Sequence, residues 1–244
     1  MSRFFITSDM IENDTVTLSE EDSQHLARVL RASVGEEITI CDDNGCEHRA
    51  EISAITKKSV TAKILETKPC DTEPKVKVVL FQGLPKGSKM ELIIQKCVEI
   101  GVHSIVPVAT SRAVVKLSEE KGRGKEERWN KIAQEAAKQS SRGVVPFVEA
   151  PVSFEEAVRR AADFDMAIIP YEKQEGSCLR VALRGKTPGS VAVFIGPEGG
   201  FEESEIDLAT KSGIVPVSRG KRILRTETAP RTALSVIMYE YDWE

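Results

Sequence analysis

The chain has 244 residues, of which 41% are hydrophobic and 30% charged, a composition typical of a soluble globular protein with one or two domains. Its formal net charge of −4 argues against a general nucleic-acid-binding protein that relies on overall positive charge. The charge is uneven along the chain, because residues 1–72 hold 8 Lys and Arg against 14 Asp and Glu.

The location that the sequence indicates is the cytoplasm. Apolar runs such as residues 76–81 are far too short to span a bilayer. No long apolar segment follows the first methionine, so we expect no signal peptide. Five cysteines at scattered positions are typical of reduced thiols. Cys41, Cys46 and His48 lie close together, but their spacing is not a zinc pattern and we expect no bound metal.

Residues 1–72 predict a small β-barrel domain with one helix. Residues 19–30 predict the helix, because Ser19 is a good N-cap and three acidic residues follow it in the first turn. The alternating segments 37–41, 50–55 and 60–65 predict strands, with a turn at residues 43–45. Two prolines within residues 67–74 indicate a linker, so we expect a domain boundary near residue 72.

Residues 73–244 predict an α/β domain with a parallel sheet, because strand and helix patterns alternate. Strands are predicted at residues 76–81, 105–108, 165–169 and 191–195, and Pro107 favours an edge strand or a strand end. Helical apolar stripes begin at Met90, Trp129 and Pro230. The basic segment 121–125 predicts a loop.

The strand at residues 191–195 runs into a glycine-rich loop, Gly196-Pro-Glu-Gly-Gly200. Glycine is needed where the backbone itself must approach a ligand. Glu202, Glu203 and Glu205 crowd the start of the helix that follows and would repel a phosphate. The loop therefore favours a neutral or cationic ligand.

A second glycine loop follows at residues 217–225. Gly220 permits the bend, and Ile223 and Leu224 offer apolar contacts. Residues 219–231 carry five basic residues and a single acidic one, Glu227. Such a patch can bind phosphate even on an acidic protein, because salt confines electrostatic fields to about 10 Å. The two loops together predict a small-ligand site that faces an anionic partner.

These two loops, in this order, resemble the C-terminal signature of the SPOUT (trefoil-knot) RNA methyltransferases, and within them the ribosomal RNA small subunit methyltransferase E family. Other segments are similar to elements of that family in the same order, namely residues 3–5, 25–31, 86–91, 95–96, 99–102 and 139–142. Two positions depart from the family pattern. Glu202 stands where Ser or Thr is usual, and Arg219 stands where leucine is frequent.

The resemblance implies a fold, a reaction and partners. It implies a PUA-like β-barrel RNA-binding domain at residues 1–72 and a SPOUT methyltransferase domain with a C-terminal knot at residues 73–244. It also implies S-adenosyl-L-methionine as cofactor, a homodimer, and methylation of N3 of a uridine in 16S rRNA of the small ribosomal subunit. Two alternatives stay open, a ribose 2′-O methyltransferase of the same superfamily and a non-catalytic RNA-binding assembly factor.

The sequence disfavours both alternatives. The ribose methyltransferases carry an early Asn-x-x-x-Arg motif, and none of the three asparagines here has an arginine four residues later. An assembly factor without cofactor would have its glycine loops filled, whereas here the glycines are present.

The two loops and the resemblance assign roles to individual residues. We expect cofactor contacts from Ile195, Gly196, Gly199, Gly200, Ser218, Gly220, Ile223, Leu224 and Thr228. We expect RNA contacts from Arg3, Arg28, Arg31, Arg142, Arg219 and Lys221.

The catalytic candidates lie in the same loops. Arg225 is the first choice, and Arg222 the second, for stabilising the negative charge that develops on uracil oxygens, because a guanidinium stays charged and donates two parallel hydrogen bonds. Glu198, Glu227 or solvent takes the N3 proton.

Overall fold

A computed structural model gives the fold, and it describes residues 2–56, 58–113, 119–172, 178–218 and 220–243, without the side chains of residues 119–123. The chain forms two compact units. The N-terminal unit comprises Met1–Glu73 and Ala137–Val145, and the C-terminal unit comprises Pro74–Ala136 and Pro146–Glu244.

The N-terminal unit is a six-stranded sheet with one helix. Its elements are β1 (Arg3–Phe5), β2 (Ile11–Glu12), β3 (Thr15–Thr17), α1 (Glu20–Gln24), β4 (Glu37–Cys41), β5 (Cys46–Ile55) and β6 (Val60–Pro69). The strand order is β1-β4-β5-β6-β3-β2, and each pair is antiparallel except β1 with β4. Phe4, Leu26, Ile40 and Ile52 lie in its buried core. The predicted small β-domain with one helix is confirmed.

The helix of this unit changes type along its length. The Ser19 hydroxyl accepts a hydrogen bond from the Asp22 N–H at 3.1 Å, which caps α1 as predicted. From His25 to Leu30 the helix continues as a π-helix, and it ends at Arg31 in the left-handed region with φ 54°. The side chains of Arg28 and Arg31 are exposed on this segment.

The C-terminal unit alternates strands and helices. Its strands are β7 (Lys77–Gly83), β8 (Ser104–Ala109), β9 (Phe147–Val148), β10 (Val152–Ser153), β11 (Met166–Pro170), β12 (Ser190–Ile195) and β13 (Val215–Val217). Its helices are α2 (Lys89–Ile100), α3 (Glu119–Gln139), α4 (Phe154–Ala161), α5 (Leu179–Leu183), α6 (Glu203–Lys211) and α7 (Ala229–Tyr241). The last residues of α3 belong to the N-terminal unit.

The seven strands form one parallel sheet, which confirms the predicted α/β class. Six strands follow the order β10-β8-β7-β12-β11-β13, and β9 pairs with β8. Helices α4 and α6 cover one face, where Phe81 and Phe194 stack with their ring centroids 4.6 Å apart. Helix α7 packs on α2 and also contacts β7 and β12. Both faces of the central strands are therefore buried, which explains their continuous apolar sequences.

Two local predictions were wrong. Strand β8 is not an edge strand, since β7 pairs with one side and β9 and β10 pair with the other. Pro107 lies between Ile105, which pairs with β9, and Val108, which pairs with β10. The predicted basic loop at residues 121–125 lies inside α3. Its glycines each cost a helix only about 1 kcal/mol, which the rest of a 21-residue helix can offset.

The apolar stripes of α2 and α7 are buried inside the chain. Met90, Ile93 and Ile94 of α2 and Leu234 and Ile237 of α7 have almost no exposed surface. These stripes build the core, so they are no evidence for a dimer. Among the described residues, no helix combines the length and the apolar character that a membrane crossing requires.

Candidate active site

A cavity of about 570 Å³ opens at the carboxyl ends of β11 and β12. This is the edge at which parallel sheets bind ligands, and the volume falls in the range of small-molecule sites. The lining comprises residues 170–172, 195–201 and 220–226 together with Lys89 and Ala229. Both glycine loops therefore border one cavity.

The first loop, residues 196–200, disfavours side chains at two of its glycines. A Cβ on Gly196 would lie 3.2 Å from the backbone of Gly200 and 3.3 Å from the ring of Phe201. Gly200 itself has φ +68°, which L side chains rarely adopt. The carbonyl of Gly199 accepts a hydrogen bond from Arg112 Nη1 at 2.9 Å. The loop is thus held tightly, with its backbone facing the cavity.

Acidic residues cap the start of α6, the helix that follows this loop. Glu202, which stands where Ser or Thr is usual in the family, is the N-cap of α6. The buried Glu205 carboxylate accepts hydrogen bonds from the N–H of Glu202 at 2.8 Å and the N–H of Ser111 at 2.9 Å. These bonds anchor the end of the first loop.

A buried hydrogen bond joins the two loops. Thr226 Oγ1, from the second loop, donates to the carbonyl of Gly196 at 2.8 Å. Gln82 Nε2, at the end of β7, donates to Thr226 Oγ1 at 3.3 Å and to the carbonyl of Gly83 at 2.9 Å. The separation of the loops is therefore set by direct contact.

Lys89 connects the same two loops through its charge. Its ammonium lies 2.7 Å from a carboxylate oxygen of Glu198 and 3.9 Å from one of Glu227. The backbone N–H of Lys86 also donates to Glu198, at 3.1 Å. Burial by itself raises the pKa of Glu198, but the hydrogen bonds from Lys89 and the backbone outweigh it and hold this pKa below its ordinary value.

The basic residues of the second loop line the cavity on its solvent side. Lys221 and Arg222 are exposed. The Arg225 side chain is 85% exposed, and its guanidinium lies 4.0 Å from Glu227, whose side chain is mostly buried. Arg219 lies outside the described residues.

Seven of the nine predicted cofactor residues line the cavity, and two do not. The seven are Ile195, Gly196, Gly199, Gly200, Gly220, Ile223 and Leu224. Ser218 instead accepts the N–H of Gly220 on its hydroxyl at 3.2 Å, which shapes the bend of the loop. Thr228 immediately precedes α7, and its carbonyl accepts the hydroxyl of Thr232 at 3.1 Å. Both residues therefore form hydrogen bonds within or just after the second loop and do not line the cavity.

Two of the predicted RNA contacts are structural in this fold. The buried Arg142 guanidinium pairs with Glu73 inside the N-terminal unit. Arg3 pairs with Glu47 at 2.7 Å and donates to the carbonyl of Arg142 at 3.2 Å. Both guanidinium groups are therefore engaged in contacts that stabilise this unit. The same cluster holds Ala137–Val145 against β1 and β5.

Sequence reasoning missed four contributors to the site, Gln82, Lys89, Glu172 and Thr226. Glu172 had a detectable signal, because it directly follows a predicted apolar strand and ligands bind at the carboxyl ends of such strands. Lys89 lies in the family-like segment 86–91, but its contact with Glu198 joins residues 109 positions apart and that of Thr226 with Gly196 joins residues 30 apart, which the sequence does not show.

The described residues contain no group of three or more His, Cys, Asp and Glu side chains that could hold a metal ion. His48, near Cys41 and Cys46, is buried and contacts Asp42 at 3.1 Å and Thr67 at 2.9 Å. Its ring nitrogens are thus used within the N-terminal unit.

Comparisons with known proteins agree with this architecture. A family model described as the RNA methyltransferase domain matches residues 72–238, and one described as the RNA methyltransferase PUA domain matches residues 18–65. The ribosomal RNA small subunit methyltransferase E of Bacillus subtilis is 39% identical over 98% of this chain and 97% of its own length.

Two solved structures are similar over nearly their whole length. A methyltransferase of Legionella pneumophila in complex with bound SAM has a TM-score of 0.89 at 34% identity, covering 99% of this chain and 98% of that one. The ribosomal RNA small subunit methyltransferase E of Neisseria gonorrhoeae, bound to S-adenosyl methionine, has a TM-score of 0.89 at 31% identity with the same coverage. The present chain therefore belongs to the ribosomal RNA small subunit methyltransferase E family.

Proposed function

We propose that this protein methylates N3 of a uridine in 16S rRNA of the small ribosomal subunit, with S-adenosyl-L-methionine as the methyl donor. The observation that carries the proposal is the pair of glycine loops, tied by the Thr226–Gly196 hydrogen bond, around one cavity with a basic outer side. The relatives from Bacillus subtilis and Neisseria gonorrhoeae are named ribosomal RNA small subunit methyltransferase E. Two similar structures contain the cofactor.

The cavity fits the cofactor in size and chemistry. Backbone groups of Gly196, Gly199 and Gly200 face a ligand that carries no phosphate. Ile223 and Leu224 supply apolar surface for an adenine ring. Glu172 also lines the cavity beside the first loop, with its carboxylate 3.5 Å from the place where a Cβ on Gly200 would stand, which suits a cationic ligand. When bound there, S-adenosyl-L-methionine supplies an activated methyl group.

Methyl transfer forms a bond between N3 and the methyl carbon, and the carbon–sulfur bond breaks with its electron pair going to sulfur. The protein holds the base in line and stabilises the charge that spreads onto the uracil oxygens O2 and O4 as the N3 proton leaves. Arg225, supported by Arg222, donates to these oxygens once RNA fills the cavity entrance.

The two glutamates have different roles in this proposal. Glu198 accepts hydrogen bonds from Lys86 and Lys89, which makes it a poor proton acceptor. Glu227 is mostly buried, lies 3.9 Å from Lys89 and 4.0 Å from Arg225, and keeps one carboxylate oxygen, Oε2, without a hydrogen-bond partner among the described residues. The N3 proton therefore passes to Glu227 or to solvent water.

RNA recognition is shared between the two units in this proposal. The N-terminal PUA-like domain, residues 1–72, binds the RNA through the exposed Arg28 and Arg31. The methyltransferase domain, residues 73–244, contacts phosphates through Lys221 at the cavity and through Arg219. The protein acts as a homodimer in the cytoplasm, where small ribosomal subunits are assembled.

The test is mass spectrometry of nucleosides from small ribosomal subunits treated with the protein and labelled S-adenosyl-L-methionine. The expected product is labelled N3-methyluridine. Labelled ribose 2′-O-methylated nucleosides would instead identify a ribose methyltransferase. RNA binding without incorporation of label would identify a non-catalytic assembly factor.

A further inference from the structure

Lys89 is a fixed cation at the wall of the cavity. It is the first residue of the 12-residue helix α2, so its backbone is part of a rigid element. Its ammonium is held by Glu198 of the first loop at 2.7 Å and lies 3.9 Å from Glu227 of the second loop. The side chain is 37% exposed, and an ammonium has three N–H donors. Beyond the bond to Glu198, it therefore has donors to offer the cavity.

Arg225 of the second loop is not held in place in this way. The side chain of Arg225 is 85% exposed, and its nearest carboxylate, Glu227, is 4.0 Å away. A donor lowers a reaction barrier most when it is already in place, because it then needs no reorganisation as charge develops. In the free protein, Lys89 meets this condition and Arg225 does not.

We propose that Lys89 is a catalytic residue, whose ammonium donates a hydrogen bond to one of the two carbonyl oxygens that flank N3 of the reacting uracil. This inference rests on the proposed function. Charge spreads over both oxygens when N3 loses its proton to Glu227 or water and bonds to the methyl carbon, so a donor at each oxygen stabilises the transition state. Lys89 supplies the preformed donor, and Arg225 supplies the second one when RNA binds.

The surroundings of Lys89 favour a carbonyl oxygen over the carboxylate of the cofactor. Glu198 already pairs with the ammonium, and Glu227 adds a second negative charge within 4 Å. A third carboxylate at this place would meet repulsion from both. A carbonyl oxygen carries no formal charge in the ground state and gains it only during the reaction. Lys89 therefore acts on the base and leaves cofactor binding nearly unchanged.

The experiment compares Lys89→Gln with Lys96→Gln under single-turnover conditions, with saturating cofactor and unmethylated small ribosomal subunits. Lys96 is a matched control, because it lies on the same helix, is 35% exposed and pairs with Glu99 at 2.9 Å. We expect Lys89→Gln to form N3-methyluridine about 100-fold more slowly, because the shorter, neutral amide neither reaches the position of the ammonium nor carries its charge, and losing one such donor has about this effect. Its affinities for the cofactor, measured by calorimetry, and for the RNA should stay within about twofold, and Lys96→Gln should match the wild type.

Several results would overturn the inference. Cofactor affinity that falls in proportion to the rate would assign Lys89 to the cofactor carboxylate. A wild-type rate for Lys89→Gln, or an equal loss in Lys96→Gln, would remove any special role. Lys89→Met, which keeps the length of the side chain, repeats the test if the glutamine variant does not fold. Failure of the proposed function looks different, since the wild-type protein would then form no N3-methyluridine.

Discussion

Thr226 shows how one hydroxyl sets the geometry of the site. It donates to Gly196 and accepts from Gln82, so three chain segments meet at one buried oxygen. In Thr226→Val the shape is kept but the Gly196 carbonyl loses its donor, which costs about 1–3 kcal/mol. We expect the free energy of unfolding to fall by that amount in urea titrations, together with weaker cofactor binding. Thr232→Val removes an exposed hydroxyl instead and should change little.

Gly196 makes the sharpest test of the cofactor site. In Gly196→Ala the new methyl group would lie 3.2 Å from the backbone of Gly200, so the backbone of the loop must shift by a few tenths of an ångström. We expect calorimetry to show weaker binding of S-adenosyl-L-methionine, while circular dichroism shows a folded protein. Gly124→Ala is the matched control, because nothing lies within 4 Å of a Cβ there. Unchanged affinity in Gly196→Ala would contradict the position assigned to the cofactor.

Arg225 tests whether geometry or charge matters on the RNA side. Arg225→Lys keeps the charge and loses the bidentate fork of donors. Because this side chain is exposed and its ion pair with Glu227 spans 4.0 Å, the fold should be unaffected. We expect nearly normal cofactor affinity and methylation about 100-fold slower. A parallel loss of cofactor affinity and rate would show that Arg225 serves the cofactor.

At the scale of elements, the packing of α2 against α7 determines the reactivity of a thiol. Cys97 of α2 is fully buried, and this burial raises its pKa to about 12, although nearby Arg231 acts in the opposite direction. A thiol reacts as the thiolate, so Cys97 should resist iodoacetamide at pH 8 in the folded protein. Mass mapping should find the exposed Cys178 labelled first. Rapid labelling of Cys97 would mean that α2 and α7 separate readily.

The same shift predicts a pH dependence with a definite sign. A raised pKa in the folded state means that the unfolded state loses its thiol proton first. The contribution of Cys97 to stability is then complete below pH 9, the ordinary pKa of a cysteine thiol, and is lost as the pH rises toward about 12. Cys97→Ala should therefore lose less stability than the wild type between these pH values in denaturant titrations.

Most helices and strands could be predicted from the sequence, because the spacing of apolar residues along a short segment reflects which of its faces is buried. Strand β4 was predicted with its observed bounds, and Pro230 lies in the first turn of α7 as expected. The π-helical turn after Gln24 could not be predicted, since its apolar residues fit an α-helix equally well. The position of Pro107 depends on where β9 and β10 end, and that is a matter of tertiary pairing.

At the scale of the whole molecule, the candidate site consists of two glycine loops that the sequence predicted and of side chains from other elements that it did not predict. The glycine loops were visible because their backbone requirement selects a residue type. Lys89 and Gln82 were not visible, because only the strand order brings β7 and α2 beside β12. Arg3 and Arg142 are basic residues for which the sequence suggested RNA contacts. In the structure they form ion pairs with Glu47 and Glu73 within the N-terminal unit.

A homodimer requires an apolar surface that the fold of the single chain leaves exposed. The inward stripes of α2 and α7 are buried in the chain itself, so these two helices can join a dimer only through their outward side chains. Leu92, Val236, Tyr239 and Trp243 are large apolar residues exposed on or just after these helices. A stable interface needs a desolvated centre of such side chains, and aromatic residues contribute most to it.

Tyr239 is 70% exposed, and Tyr239→Glu would place a charge in that interface without disturbing the core of the chain. We expect light scattering to give twice the chain mass of 26.9 kDa for the wild type at micromolar concentration, and 26.9 kDa for the variant. Val29→Glu changes a residue of similar exposure, 67%, in the N-terminal unit and should remain dimeric. A wild-type protein that scatters as a monomer would contradict the homodimer. A dimeric Tyr239→Glu would instead show that the two chains meet through a different surface.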